Sequence, residues 1–150
     1  MRRGAPAVTE DARTTDPRLF LRIDFADGRK LGPGKITLLE AIRVHGSILS
    51  AAKAIGMSYR RAWLLIDELD RMFDAKVIVT YPGRRGAGTE VTAFGARVIA
   101  LYRASERQAA KATRASVDEL RASLAVEFRP GSDEEEEPSE TAETPAQQAG

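Results

Sequence analysis

Two short segments of the sequence carry adjacent arginines among residues that suit contact with phosphates and base edges. The first is Ser58-Tyr59-Arg60-Arg61, and the second is Arg84-Arg85 within a glycine-rich segment. The planar guanidinium fork matches both a phosphate and the O6 and N7 acceptors of guanine. A serine and the free backbone N–H groups at a helix start also suit a phosphate. We interpret both segments as candidate nucleic-acid contacts.

The charge is distributed unevenly along the 150-residue chain, although the formal net charge is only +1. Residues 130–150 carry seven acidic and no basic side chains, a net charge of −7. Residues 1–129 hold all 23 basic residues against 15 acidic ones, a net charge of +8. A basic body is typical of nucleic-acid-binding proteins, and an acidic tail is a common accessory. The alternative interpretation is an arginine- and alanine-rich composition without functional meaning.

Residues that could support catalysis or bind a metal are scarce. The chain has no cysteine and one histidine, His45, which excludes thiolate nucleophiles, zinc fingers and multi-histidine metal sites. Gly34-Lys35 lacks the spacing of a phosphate-binding P-loop. The carboxylates Asp67, Glu68 and Asp70 are predicted to lie on a solvated helix face. We expect no enzymatic activity, no cofactor and no metal.

The sequence contains neither a predicted membrane span nor a predicted signal peptide. No apolar run approaches the roughly 18 residues that a span requires. The basic start at Arg2-Arg3 is not followed by an apolar segment. We expect a cytoplasmic protein with no membrane partner.

The N-terminal part is predicted to change from a disordered arm to a strand. Residues 1–17 mix glycine, proline and charge without periodicity, and we assign them as the arm. Residues 19–25 alternate apolar and polar side chains, which is typical of a half-buried strand. A turn at residues 26–28 follows, and residues 30–34 interrupt the regular structure.

Three short helices are predicted next, over residues 35–45, 48–55 and 59–73. Gly46 ends the first, Gly56 follows the second, and Ser47 and Ser58 are positioned to cap the second and third. Ala51 and Ala52 allow close packing of the second helix. A short helix, a tight turn and a helix with a polar start form the helix-turn-helix pattern.

The remaining elements are predicted to be a hairpin and a long helix. Strands at residues 77–81 and 89–91 flank the basic glycine-rich loop, which would form a wing. A helix from Ala93 to about residue 126 would extend beyond the globular core, so its apolar stripe requires a partner, most simply a second copy of the chain. The candidate dimerisation residues are Phe94, Val98, Leu101, Tyr102, Ala109, Ala112, Val117 and Leu120.

The predicted fold class is mainly α with a small β hairpin. A winged helix-turn-helix domain over residues 18–92 precedes a dimerisation helix over residues 93–126 and a disordered acidic tail over residues 127–150. Trp63 is predicted to be a core residue, whereas Tyr59 either packs in the core or contacts a phosphate. The candidate DNA-binding residues are Ser47, Lys53, Ser58, Tyr59, Arg60, Arg61, Arg84 and Arg85.

The run from Gly46 to Trp63 resembles the N-terminal winged-helix domain of the ModE family of molybdate-responsive regulators, which is related to LysR-type DNA-binding domains. The shared pattern is a Gly-Ser start, an Ala-Ala pair, a glycine turn and Ser-Tyr-basic-x-Ala-Trp. The glycine-rich segment at 83–88 and Val91-Thr92-Ala93-Phe94-Gly95 resemble the family's wing and the start of its last helix. The resemblance covers roughly residues 19–125.

The resemblance implies a homodimeric bacterial transcription regulator that binds double-stranded DNA through its third helix and its wing. Arg61 departs from the small residue expected at its position, which leaves the base preference open. The sequence passes from the last helix to the acidic tail without a β-rich segment, so we do not expect it to contain molybdate-binding domains. The alternatives are a winged-helix protein-interaction module and an oxyanion-responsive regulator whose partner supplies the effector.

Overall fold

The computed structural model describes residues 15–83 and 88–131. Most of the predicted arm, the Arg84-Arg85 pair and most of the acidic tail lie outside these ranges. The elements in chain order are β1 (Ile23–Asp24), β2 (Lys30–Leu31), α1 (Pro33–His45), α2 (Ile48–Ala54), α3 (Tyr59–Met72), β3 (Ile78–Thr80), β4 (Thr89–Val91) and α4 (Ala93–Ala122). The predicted class, a winged helix-turn-helix followed by a long helix, is confirmed.

The predicted strand over residues 19–25 is wrong in extent. Only Ile23–Asp24 forms strand structure, and it pairs antiparallel with Lys30–Leu31, where the sequence had indicated a break. The pairing is short because Gly32 and Pro33 follow β2 directly and begin α1. The alternation before Ile23 reflects packing, since Leu21 and Ile23 contact the core without a neighbouring strand along residues 19–22.

Helix α1 begins two residues earlier than predicted and ends where predicted. Pro33 occupies the first helical turn, where its missing N–H costs no hydrogen bond and its fixed φ suits a helix. Gly46 ends the helix at φ 74°, in the left-handed region that glycine tolerates, and its N–H donates to Ile42 O at 2.8 Å.

The core lies among the first three helices, the hairpin and the start of α4. Ile36, Leu39 and Ile42 of α1 are fully buried. Ala51 and Ala62, on α2 and α3, are also fully buried, so the two helices approach closely as their small side chains predicted. Trp63 does not belong to this core, because 46% of it is exposed.

The hairpin of β3 and β4 is bound to both ends of the helix-turn-helix. Val79 pairs with Glu90 in its antiparallel ladder. Its backbone reaches the α1–α2 junction, where Thr89 N–H donates to Gly46 O at 2.9 Å. At the other end, Asp70 of α3 accepts a hydrogen bond from Val77 N–H at 3.1 Å. The hairpin is therefore held as a wing beside α3.

Helix α4 is 30 residues long, which corresponds to about 45 Å. Its N-cap is Thr92, whose hydroxyl accepts a hydrogen bond from Gly95 N–H at 2.9 Å. Its buried residues, Gly95, Val98, Ile99 and Tyr102, all lie in the first third. Beyond the core the helix is covered only in part: Arg121 pairs with Asp16 of the N-terminal segment at 3.1 Å, whereas Leu101 and Leu120 are exposed.

Gly95 sits where α4 touches the wing, and we predict that Gly95→Ala destabilises the fold. A Cβ at this position would lie 2.3 Å from Val77 O and 2.8 Å from Val91 Cγ1. Backbone at such a distance has to move, so the free energy of unfolding should fall by about 1–3 kcal/mol. Chemical denaturation measures this change.

Gly34 provides the matched control, because it is also a helical glycine but a Cβ there would meet no atom within 4 Å. Gly34→Ala should leave the free energy of unfolding unchanged or raise it, since alanine favours a helix more than glycine does. Equal stability of the two variants would contradict the close packing of α4 on the wing.

Candidate nucleic-acid interface

The turn between α2 and α3 is built from backbone hydrogen bonds and one glycine. Gly56 adopts φ 69°, a conformation that a side chain would strain. Met57 N–H donates to Ala52 O at 2.9 Å, which closes the end of α2. The turn directs α3 away from α2 at a fixed angle, so the first turns of α3 lie on the surface.

Both serines predicted to cap helices do so. Ser47 Oγ accepts from Ser50 N–H at 3.0 Å, and Ser58 Oγ accepts from Arg61 N–H at 3.1 Å. Each hydroxyl still has its own hydrogen to donate. Ser47 is half-buried and Ser58 is exposed, so Ser58 offers this donor to solvent at the start of α3.

The basic residues of the helix-turn-helix point into solvent. Lys53 on α2 and both Arg60 and Arg61 on α3 are exposed. None of the three makes an ion pair with another residue in the described ranges, and the first turn of α3 holds no acidic residue. The start of α3 therefore presents two guanidinium groups whose donors are available to an anion.

Tyr59 and Trp63 form an aromatic pair on the same part of α3. Their ring centroids lie 6.2 Å apart at an interplanar angle of 86°. Tyr59 is 48% exposed and Trp63 is 46% exposed. The prediction of a core position for Trp63 is wrong because the helix spacing alone did not fix which flank of α3 faces inward.

The three carboxylates of α3 have structural partners. Asp67 forms an exposed ion pair with Arg71 at 3.0 Å, as a solvated helix face predicts. Glu68 lies 3.3 Å from the ammonium of Lys35, a lysine whose burial the sequence did not predict. Asp70 is largely buried and holds the wing, so its assignment to the solvated face is wrong.

The wing residues of the predicted interface, Arg84 and Arg85, lie outside the described residues. The described ends of the loop are Gly83, at φ 86°, and Gly88, whose carbonyl accepts a hydrogen bond from Tyr81 N–H at 2.6 Å. The hydrogen bond from Tyr81 to Gly88 therefore joins the two sides of the hairpin next to the segment that contains Arg84 and Arg85.

The candidate dimerisation residues of α4 divide into two groups. Val98 and Tyr102 are 5% and 1% exposed and belong to the chain's own core, while Phe94 packs edge-on against Phe73 at 5.4 Å between centroids. The other candidates have solvent-accessible side chains, with Leu101 53% and Leu120 69% exposed; they are Leu101, Ala109, Ala112, Val117 and Leu120.

Two polar contacts fix the direction of α4. The Arg103 guanidinium binds Glu40 of α1 and Glu106 of α4, and these hydrogen bonds raise the pKa of Arg103, with Glu40 the larger cause. The hydroxyl of Tyr102 donates to Leu21 O, and burial raises the pKa of Tyr102. These contacts join the long helix to α1 and to the segment before β1.

Neither a metal cluster nor a membrane-spanning helix is found in the described part of the chain. Residues 15–83 and 88–131 contain no group of three potential ligands from His, Cys, Asp and Glu. No helix within these ranges is long and apolar enough to cross a membrane.

Comparison with known proteins gives partial matches, and no protein-family model matches the chain. The molybdenum transport protein ModE of Azotobacter vinelandii is 40% identical over 87 residues, which are 57% of this chain and 32% of that protein. The molybdenum-pterin-binding protein MopA of Rhodobacter capsulatus is 36% identical over 83 residues, 55% of this chain and 31% of that protein.

A third relative is the DNA-binding transcriptional dual regulator ModE of Escherichia coli strain K12. It is 38% identical over 71 residues, 47% of this chain and 27% of the relative. The chain spans about a third of the length of the curated relatives it matches. Over about half of its own length, the chain is thus similar to ModE molybdenum transport and regulator proteins.

Proposed function

We propose that this chain is a sequence-specific DNA-binding transcription regulator that acts as a homodimer. The start of α3 carries the proposal, because Arg60 and Arg61 are exposed there without an ion-pair partner among the described residues. One similar protein is described as a DNA-binding transcriptional regulator, which supports this interpretation. Under this proposal the chain functions in the cytoplasm.

The first turns of α3 enter the major groove in this proposal. Arg60 and Arg61 form forked hydrogen bonds to guanine O6 and N7 or to phosphates. Ser58 donates its hydroxyl to a phosphate, and Tyr59 and Lys53 flank the same surface. Ser47, at the start of α2, contacts the backbone beside them. In this arrangement α3 reads the bases, and the contacts from α2 position it on the DNA backbone.

Arg84 and Arg85 complete the proposed interface from the wing. In the sequence they follow Gly83, between the strands β3 and β4, and this hairpin is held to both the end of α1 and α3. A basic wing beside the recognition helix reaches the phosphates or the minor groove next to the site that α3 reads. We expect these contacts to add affinity without choosing among bases.

The uncovered length of α4 supports dimerisation. The stripe that Val98 and Tyr102 bury in the core continues along the same side of the helix through Ala109, Val117 and Leu120, at steps of one or two helical turns. Pro17 and Leu124 join this stripe in an open apolar groove of about 360 Å³. A second copy of α4 would cover it.

A dimer gives the DNA site its symmetry. Two copies related by a two-fold axis present two α3 helices, and these bind successive major grooves when they lie about 34 Å apart. The contact of Arg103 with Glu40 joins α4 to α1, against which α2 packs, and so helps to fix the angle between α4 and the helix-turn-helix. It therefore helps to set the separation of the two half-sites.

Selection of bound duplexes from a random pool tests the proposed function. The expected result is an inverted-repeat consensus, enriched equally with and without molybdate. Enrichment of no sequence, with no gel shift at low salt, would contradict DNA recognition and favour a protein-interaction module. A consensus that appears only with molybdate would favour the alternative of an oxyanion-responsive regulator.

A further inference from the structure

The outward face of α3 is less polar than a solvent-exposed helix face normally is. Leu64 is 59% exposed, and Trp63 and Tyr59 are almost half exposed. About half of each of these three side chains therefore remains open to solvent. Such a cluster of large apolar groups on a short helix is typical of a surface that contacts another molecule.

Helix geometry places this apolar cluster beside the arginines. At 3.6 residues per turn, Leu64 lies one turn after Arg60 on the same face, and Trp63 lies one turn after Tyr59 on the adjoining flank. The perpendicular packing of the two rings extends the aromatic surface along α3. The helix therefore presents guanidinium groups and apolar groups side by side.

The geometry points to Trp63, supported by Tyr59 and Leu64, as a reader of thymine through the 5-methyl group of that base. This inference rests on the proposed binding of DNA by α3. In the major groove the methyl group is the one apolar feature of a base edge, and it distinguishes thymine from the other bases. An aromatic ring that packs on it removes both apolar surfaces from water.

Charge favours DNA over a protein as the occupant of this surface. Arg60 and Arg61 lie beside the cluster with exposed positive charge, and the first turn of α3 holds no acidic residue. Asp67, one turn after Trp63, is paired with Arg71. The apolar stripe that suits a second copy lies elsewhere, on α4. A surface that presents apolar groups beside cations without an ion-pair partner matches methyl groups beside phosphates.

Replacement of thymine by deoxyuridine removes only the methyl group and therefore isolates the proposed contact. We expect the selected half-site to contain thymine, and each contacted thymine replaced by deoxyuridine should weaken binding about fourfold, the factor for burial of one methyl group. Trp63→Ala should abolish this difference, and Trp63→Phe should retain it. Phe128→Ala, which removes an exposed aromatic side chain beyond α4, should leave it unchanged.

The outcomes separate this inference from the proposed function. Equal affinity for thymine and deoxyuridine duplexes, or an equal difference in the Trp63→Ala variant, overturns thymine reading while DNA recognition stands. Failure to bind any duplex overturns the proposed function itself.

The unmodified chain offers a second measurement that does not depend on a variant that folds. Trp63 is the single tryptophan, so the intrinsic tryptophan fluorescence reports on this position alone. Saturating duplex should quench and shift the emission, and the change should be smaller for the deoxyuridine duplex. An unchanged emission in a complex visible by gel shift would place Trp63 away from the bases and overturn the inference.

Discussion

Substitution of both Arg60 and Arg61 by alanine will weaken binding to the selected duplex by at least about 100-fold. A forked contact to guanine contributes about 1–3 kcal/mol, and a dimer carries four of these side chains. Loss of any phosphate contacts will also reduce the dependence of affinity on salt, by about 0.9 in logarithmic slope for each contact. Titration by fluorescence anisotropy at several salt concentrations measures both effects.

A control variant that loses two positive charges elsewhere distinguishes direct contact with DNA from the general effect of charge on binding. Arg107 and Arg114 are exposed on α4, and neither makes an ion pair with the described residues. Their joint replacement by alanine should change affinity only slightly, because long-range charge effects are screened beyond about 10 Å at moderate salt. If both double variants bind equally well, α3 is not the recognition helix.

Leu120→Glu will dissociate the proposed dimer. Leu120 is 69% exposed in the single chain and lies on the apolar stripe of α4. Two symmetry-related copies would each bury an uncompensated carboxylate, which costs about 3 kcal/mol or more and corresponds to at least about 100-fold weaker association. Sedimentation equilibrium should give twice 16.3 kDa for the unmodified chain and 16.3 kDa for the variant.

Ala115→Glu is the control for this prediction. Ala115 is exposed on the opposite side of α4 from Val117 and Leu120, so a carboxylate there should remain solvated. The mass should stay that of two chains. A monomeric mass for the unmodified chain at micromolar concentration would contradict dimerisation through α4.

The helical part of the fold was predictable because its signals are local. Gly46, Ser47, Gly56 and Ser58 mark helix ends through backbone conformation and capping, and all four do so in the structure. The β1–β2 pair was not predictable in extent, because strand pairing depends on which neighbour is available. The alternation before Ile23 carries no information on that neighbour.

The candidate site was less predictable than the fold, because the solvent exposure of a side chain depends on how several elements pack around it. Trp63 has the spacing of a core residue, yet the angle set by the α2–α3 turn leaves it almost half exposed. On α4, Val98 and Tyr102 belong to the same stripe as Val117, but only the first two reach the chain's own core. The sequence shows the apolar stripe of α4, but it does not show at which residue of this helix the contact with the core ends.

Affinity cleavage tests most directly whether two copies of α3 lie in successive major grooves. The chain has no cysteine, so Asp67→Cys, on the exposed face of α3, would carry a DNA-cleaving iron chelate at one site per protomer. Cleavage of the selected duplex is expected in two clusters, one per half-site, about one helical turn apart. The same chelate on Ala115→Cys should cleave weakly and without focus. Unfocused cleavage from position 67, or focused cleavage only from position 115, would contradict the central role of α3.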